Sequence, residues 1–119
     1  MNHSISRFSL DLDRQDSQVY VTVREGDTAK KLSVLLKESG TPYIITDGTT
    51  VNLAAQKPDG SHMSTACTVE DNRILALLPP EFTAAAMKLS ACFILTESVA
   101  ALTSPPFTIL VDEPAASVS

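Results

Sequence analysis

Apolar and polar residues alternate with a period of two in one short run after another, the pattern of strands that bury a single face. Phe8, Leu10 and Leu12 form the first run, Val19, Val21 and Val23 the second, and Leu32, Val34 and Leu36 the third. Tyr43 to Thr46 predicts a brief fourth strand, Val51, Leu53 and Ala55 a fifth, and Met63 to Val69 a weaker sixth. Arg73 to Leu78 is almost continuously apolar. Leu89, Ala91, Phe93 and Leu95 form the strongest late run, and Phe107, Ile109 and Val111 the last.

Turn residues punctuate these runs: Gly26-Asp27, Ser39-Gly40-Thr41-Pro42, Asp47-Gly48, Asp59-Gly60 and Asp71-Asn72. Each supplies a residue that tolerates positive φ or hydrogen-bonds its own backbone. Eight or nine short strands at this spacing predict an all-β fold, an antiparallel β-sandwich. One segment departs from the pattern. Pro79-Pro80 suits a helix start, and Glu81 to Met87 favours helix by propensity, which predicts one helical turn near residues 80–87 before the next strand. Residues 1–114 read as a single domain, and 115–119 as a linker-like or frayed tail. The Pro79-Pro80 and Pro105-Pro106 pairs are expected to guard sheet edges.

Composition narrows the function classes. A chain of 119 residues with 44% hydrophobic and 19% charged residues holds one core and no second. With 5% aromatics and no Trp, that core is built from Leu, Val, Ile and Ala. A net charge of −5 argues against nucleic acid or an anionic membrane as partner, because binding phosphates takes clustered cations and only Lys30 and Lys31 are adjacent. Leu89 to Leu95 is far too short to span a bilayer. The opening MNHSISRFSLDL lacks the basic segment and long apolar stretch of a signal peptide.

The sites where chemistry would be sought do not assemble. Cys67 and Cys92 read as two small buried thiols rather than a disulfide, with no histidine at ligand spacing to suggest zinc. Asp11, Asp13 and Asp16 resemble a calcium loop, but an EF-hand starting at Asp11 needs glycine sixth and glutamate twelfth. Those places hold Asp16 and Thr22. His3 and His62 have neither a serine elbow nor a paired cysteine to suggest nucleophilic catalysis, and the four glycines never form a phosphate-cradling loop. The expectation is a protein without cofactor, metal or enzymatic activity. In QKPDGSH, Pro58 presets φ and Asp59-Gly60 complete a hairpin turn between two strands.

Three stretches carry a family resemblance when taken in order: VREGD, then TPYIITDGTTVNLAAQKPDG, then SPPFTILVDE. Together they resemble the N-terminal domain of phage baseplate upper proteins, from tail fibres of phages of Gram-positive bacteria, over Phe8 to Glu113. The family usually carries a glycine before the late strand, where this chain has Ala86-Met87-Lys88. The resemblance implies an immunoglobulin-like β-sandwich and a virion structural protein, assembled in the host cytoplasm, that attaches the receptor-binding apparatus to the tail baseplate. It implies as partners other baseplate proteins of the distal tail type and a downstream receptor-binding protein, with a homotrimer in the full-length fibre. It also implies that this chain is an excised domain or a short family member. On that reading the exposed turns Glu25, Gly26, Asp27 and Lys57, Pro58, Asp59, Gly60 are candidate contact positions. The alternative is a carbohydrate-binding or host-adhesion sandwich, which needs exposed aromatics to stack on sugars. Phe8, Phe93 and Phe107 fall in inward-facing positions, which leaves few platforms.

Overall fold

The computed structural model describes residues 5–14, 19–26, 30–98 and 100–112. In each strand the alternating apolar residues turn to one side, and the sheet pairings bring those sides together. The strands are β1 (Ile5–Asp11), β2 (Tyr20–Arg24), β3 (Lys31–Glu38), β4 (Thr41–Pro42), β5 (Thr50–Gln56), β6 (His62–Glu70), β7 (Arg73–Leu77), β8 (Met87–Glu97), β9 (Ala100–Thr103) and β10 (Phe107–Asp112). The hydrogen-bonded order is β1-β3-β7-β6-β5-β8-β10-β2, with β4 on β3 and β9 on β8 off that path.

Two sheets arise because β6 serves both. Its first part, His62 to Cys67, pairs with β5, and its last part, Thr68 to Glu70, pairs with β7. The first sheet is β1, β3, β4, β7 and the end of β6; the second is β2, β5, β8, β9, β10 and the start of β6. A strand that switches sheets is how a sandwich makes a corner. Between the sheets lies one core cluster of aliphatic residues with Phe82, Phe93 and Phe107. Phe8 of the first sheet meets Phe107 of the second at 5.2 Å between ring centroids, and Phe107 stacks on Phe93 at 5.4 Å. The all-β sandwich expected from the alternation is therefore the fold observed.

Four details differ from the sequence expectation. Two pairings, β1 with β3 and β10 with β2, are parallel, and alternation has the same period in either direction. Tyr43 to Thr46 is not a strand: Asn72 Nδ2 donates to the Tyr43 carbonyl at 2.9 Å, and Asn72 Oδ1 accepts the Ile45 N–H at 2.8 Å. A side chain takes the place of a ladder there, and backbone pairing ends with the two-residue β4 and the Tyr43 N–H, which donates to the Leu36 carbonyl at 2.8 Å. The helical turn is confined to a 3₁₀ turn over Pro80–Phe82. Phe82 is fully buried and anchors it, whereas Ala84, Ala85 and Ala86 are exposed and bury no helix face, and Met87 is claimed by pairing with Val111.

The fourth difference is β9, which alternation did not reveal. It continues the edge of β8 that β10 begins, and Ser104-Pro105-Pro106 interrupts the two. Pro105 is buried, so this pair breaks a strand within the sheet rather than guarding an open edge. Ser104 keeps β8 continuous across the gap. Its N–H donates to the Phe93 carbonyl at 2.9 Å, its hydroxyl accepts the Phe93 N–H at 2.9 Å and donates to the Pro105 carbonyl at 3.0 Å. Ser104→Ala leaves the buried Phe93 N–H without that acceptor, and a loss of about 1.5 kcal/mol is expected in urea unfolding. Ser104→Thr, which keeps the hydroxyl, is expected to lose less.

Candidate functional site

The two turns singled out as contact positions lie at one end of the second sheet. Gln56 pairs with Ser90, so Lys57 and Pro58 pass beside the start of β8; Val111 pairs with Met87, so the β2 and β10 ends flank it on the other side. The strands that lead into the turns, β5 and β2, are three strand spacings apart in the sheet, about 14 Å. Beside the Lys57–Gly60 turn runs an open groove lined by Gln56, Lys57, Pro58, Lys88, Ser90 and Thr108.

The Lys57–Gly60 turn is held by its own backbone. Lys57 N–H donates to Ser61 O at 2.8 Å, Gly60 N–H to Lys57 O at 2.9 Å, and Gly60 takes φ +92°, which a glycine reaches without strain. Asp59 Oδ1 accepts the Ser61 N–H at 2.9 Å and the Ser61 hydroxyl at 2.7 Å. These two bonds, the backbone one first, hold the Asp59 carboxyl below its ordinary range, with Lys57 adding to the effect. The carboxylate is thus engaged in shaping the turn. Its contribution to stability is present above the ordinary aspartate pKa and fades as pH falls through the lowered value.

The other turn is tied down at both described residues. Glu25 N–H donates to Asp112 O at 2.7 Å and Gly26 N–H to Thr83 O at 2.8 Å, so it is stitched to β10 and to the 3₁₀ segment. Asp27 lies outside the described residues. Asp16, His3 and the 115–119 tail lie outside them too.

At the opposite end of the sandwich, an open cleft of about 400 Å³ lies between the sheets. Leu12, Leu95 and Leu102 supply its apolar wall, with Tyr43, and Asp13, Glu38 and Glu97 also line it. Two of these acids are engaged: Asp13 Oδ2 accepts the Ser39 hydroxyl at 2.6 Å, and Glu97 Oε2 accepts from Thr46 at 2.5 Å and Thr49 at 3.2 Å. Asp11 serves a turn as well, its Oδ1 accepting the Asp13 N–H at 2.9 Å. Among the described residues no three His, Cys, Asp or Glu side chains gather in a group that could hold a metal ion. No described helix is long and apolar enough to cross a membrane.

The thiols are separate. Cys67 pairs with Val51 and faces the core side, while Cys92 pairs with Ala54 on the outer side, so β5 and the sheet itself lie between them. Both are free. Burial pushes the Cys67 thiol up to about 11 and raises Cys92 as well. Iodoacetamide at pH 8 is therefore expected to alkylate native Cys67 at least tenfold more slowly than the same residue in urea. The stability that Cys67 contributes is fully present below about pH 9 and is lost as pH rises through 11.

The aromatic residues complete the picture. Phe82, Phe93 and Phe107 are buried, Phe8 is half-buried, and Tyr20 on β2 is exposed. None of the described turn residues singled out from the sequence reaches the cleft, whose walls come from segments far apart in the chain.

No family model and no curated protein matches the chain. Among solved structures it is similar to the "N-terminal domain of phage TP901-1 ORF48", with a TM-score of 0.68 and 13% identity. The match covers 91% of this chain and 98% of that one. The chain has the fold of a phage protein domain. At this identity the likeness resides in the arrangement of strands, not in side chains at particular positions.

Proposed function

We propose that this chain is a structural component of a phage virion, a baseplate or tail-fibre attachment domain that docks the receptor-binding apparatus onto the tail baseplate. The observation that carries the reading is the likeness in fold to a domain of a phage protein over nearly the full length of both chains. The ordered resemblance of VREGD, TPYIITDGTTVNLAAQKPDG and SPPFTILVDE to phage baseplate upper proteins supports it from the sequence side.

A docking domain works by holding a rigid surface in place, which a sandwich with one continuous core provides. It needs no titratable constellation, so neither a catalytic step nor a cofactor enters the proposal. The partners proposed are other baseplate proteins, of the distal tail type, and a downstream receptor-binding protein, with a homotrimer in the assembled fibre. The proposed location is the tail baseplate of the virion. Mass spectrometry of gradient-purified particles, with tails separated from heads, tests the reading. Peptides of this chain are expected in the tail fraction at a fixed ratio to the tail proteins. Their absence from washed particles would overturn it.

A further inference from the structure

The outward face of the first sheet differs in charge from the rest of the molecule. Strand register sets Ile5, Lys31 and Leu77 in one row across β1, β3 and β7, and Arg7, Ser33 and Leu75 in the next. Ile5 and Leu77 are 40% and 51% exposed, two of the four large apolar residues that the described chain leaves in solvent. Lys31 sits between them. Lys37 lies further along β3, and Arg73 lays its guanidinium over Ser33, with Nε to the Ser33 hydroxyl at 2.8 Å and Nη2 to its carbonyl at 3.0 Å.

Among the described residues, four of the chain's nine cations thus share one face with only Asp11 and Glu70 as counter-charges, a net of +2. Since the whole chain carries −5, the remainder carries −7. Outward positions of β5 and β8, by contrast, are mostly small and neutral: Asn52, Ala54, Ser90 and Cys92.

From this segregation we infer that the outer face of β1, β3 and β7 is the docking surface for a different virion protein, one that presents carboxylates around an apolar patch. An acidic partner is repelled by the rest of this chain and attracted at this face alone, so charge selects one orientation of approach. The exposed Ile5 and Leu77 then supply apolar area that gains by leaving water. The inference rests on the virion reading and adds to it which face is used and what chemistry meets it.

Zero-length carbodiimide cross-linking of intact particles, followed by peptide mass spectrometry, tests it. The expected result is an amide link from Lys31 or Lys37 to an Asp or Glu of another virion protein. Links from these lysines to Glu38 or Glu97 of a second copy of this chain would overturn the assignment in favour of self-contact. If the chain is present in particles but Lys31 and Lys37 stay unlinked while other lysines react, the face is wrong and the virion reading stands. If the chain is absent from particles, the virion reading falls and this inference with it.

Discussion

Phe93→Ala is expected to lower the unfolding free energy by about 4 kcal/mol, the largest single-residue effect in this domain. Phe93 is fully buried on β8, and its ring stacks on Phe107, which in turn meets Phe8 from the facing sheet. Removing the ring loses its transfer free energy, opens a cavity in a close-packed interior, and breaks an aromatic contact of about 1 kcal/mol. A domain of this size has about 5 to 15 kcal/mol in total, so the loss is a large share of its stability. Urea titration followed by circular dichroism measures the change. Phe93→Leu, which fills most of the space, is expected to recover more than half of the loss. Equal losses for the two variants would show that the cost does not come from the cavity left by the ring.

Asn72→Ala follows, at about 3 kcal/mol. Asn72 sits at φ +63° in the turn between β6 and β7, a conformation that alanine adopts at a cost of about 1 kcal/mol. Its amide also makes both bonds that fix Tyr43 and Ile45, at about 1 kcal/mol each. Asn72→Gly separates the two contributions: it keeps the turn and loses the bonds. Both variants are expected to speed hydrogen exchange at the Ile45 amide by at least tenfold, because its acceptor is gone. If Asn72→Gly were as stable as wild type with unchanged exchange, the clamp on 43–46 would carry no weight.

The same segment shows what alternation cannot reveal. Tyr43-Ile44-Ile45 has the composition of a strand, yet a single asparagine 27 residues further on from Ile45 captures its polar groups. The turns were legible because their chemistry is local. Gly26, Gly48 and Gly60 all take positive φ, as do Asp71 and Asn72, at the places where the sequence asked for it. Inward positions such as Leu10, Leu53, Leu89 and Ile109 were legible for a similar reason, since one buried face leaves its mark every second residue.

What stayed hidden depends on neighbours far apart in the chain. Parallel pairing of Ile5 with Lys31, or of Thr108 with Tyr20, leaves no trace in either strand alone. The strand Ala100–Thr103 has only Leu102 packed against the core, too little to produce a period. Of the candidate contact positions, the Lys57–Gly60 turn reads correctly as a hairpin connection. The basic face did not stand out at all. Arg7, Lys31, Lys37 and Arg73 are spread over 67 residues of sequence, and only the order β1-β3-β7 makes them neighbours.

Immunogold electron microscopy of phage particles, with antibody raised against this domain, decides whether the domain sits in the tail baseplate. Gold is expected at the distal end of the tail, where a baseplate stands. Unlabelled particles, with gold on the bacterial surface or in the cytosol of the same preparation, would contradict it and leave the fold without the proposed role.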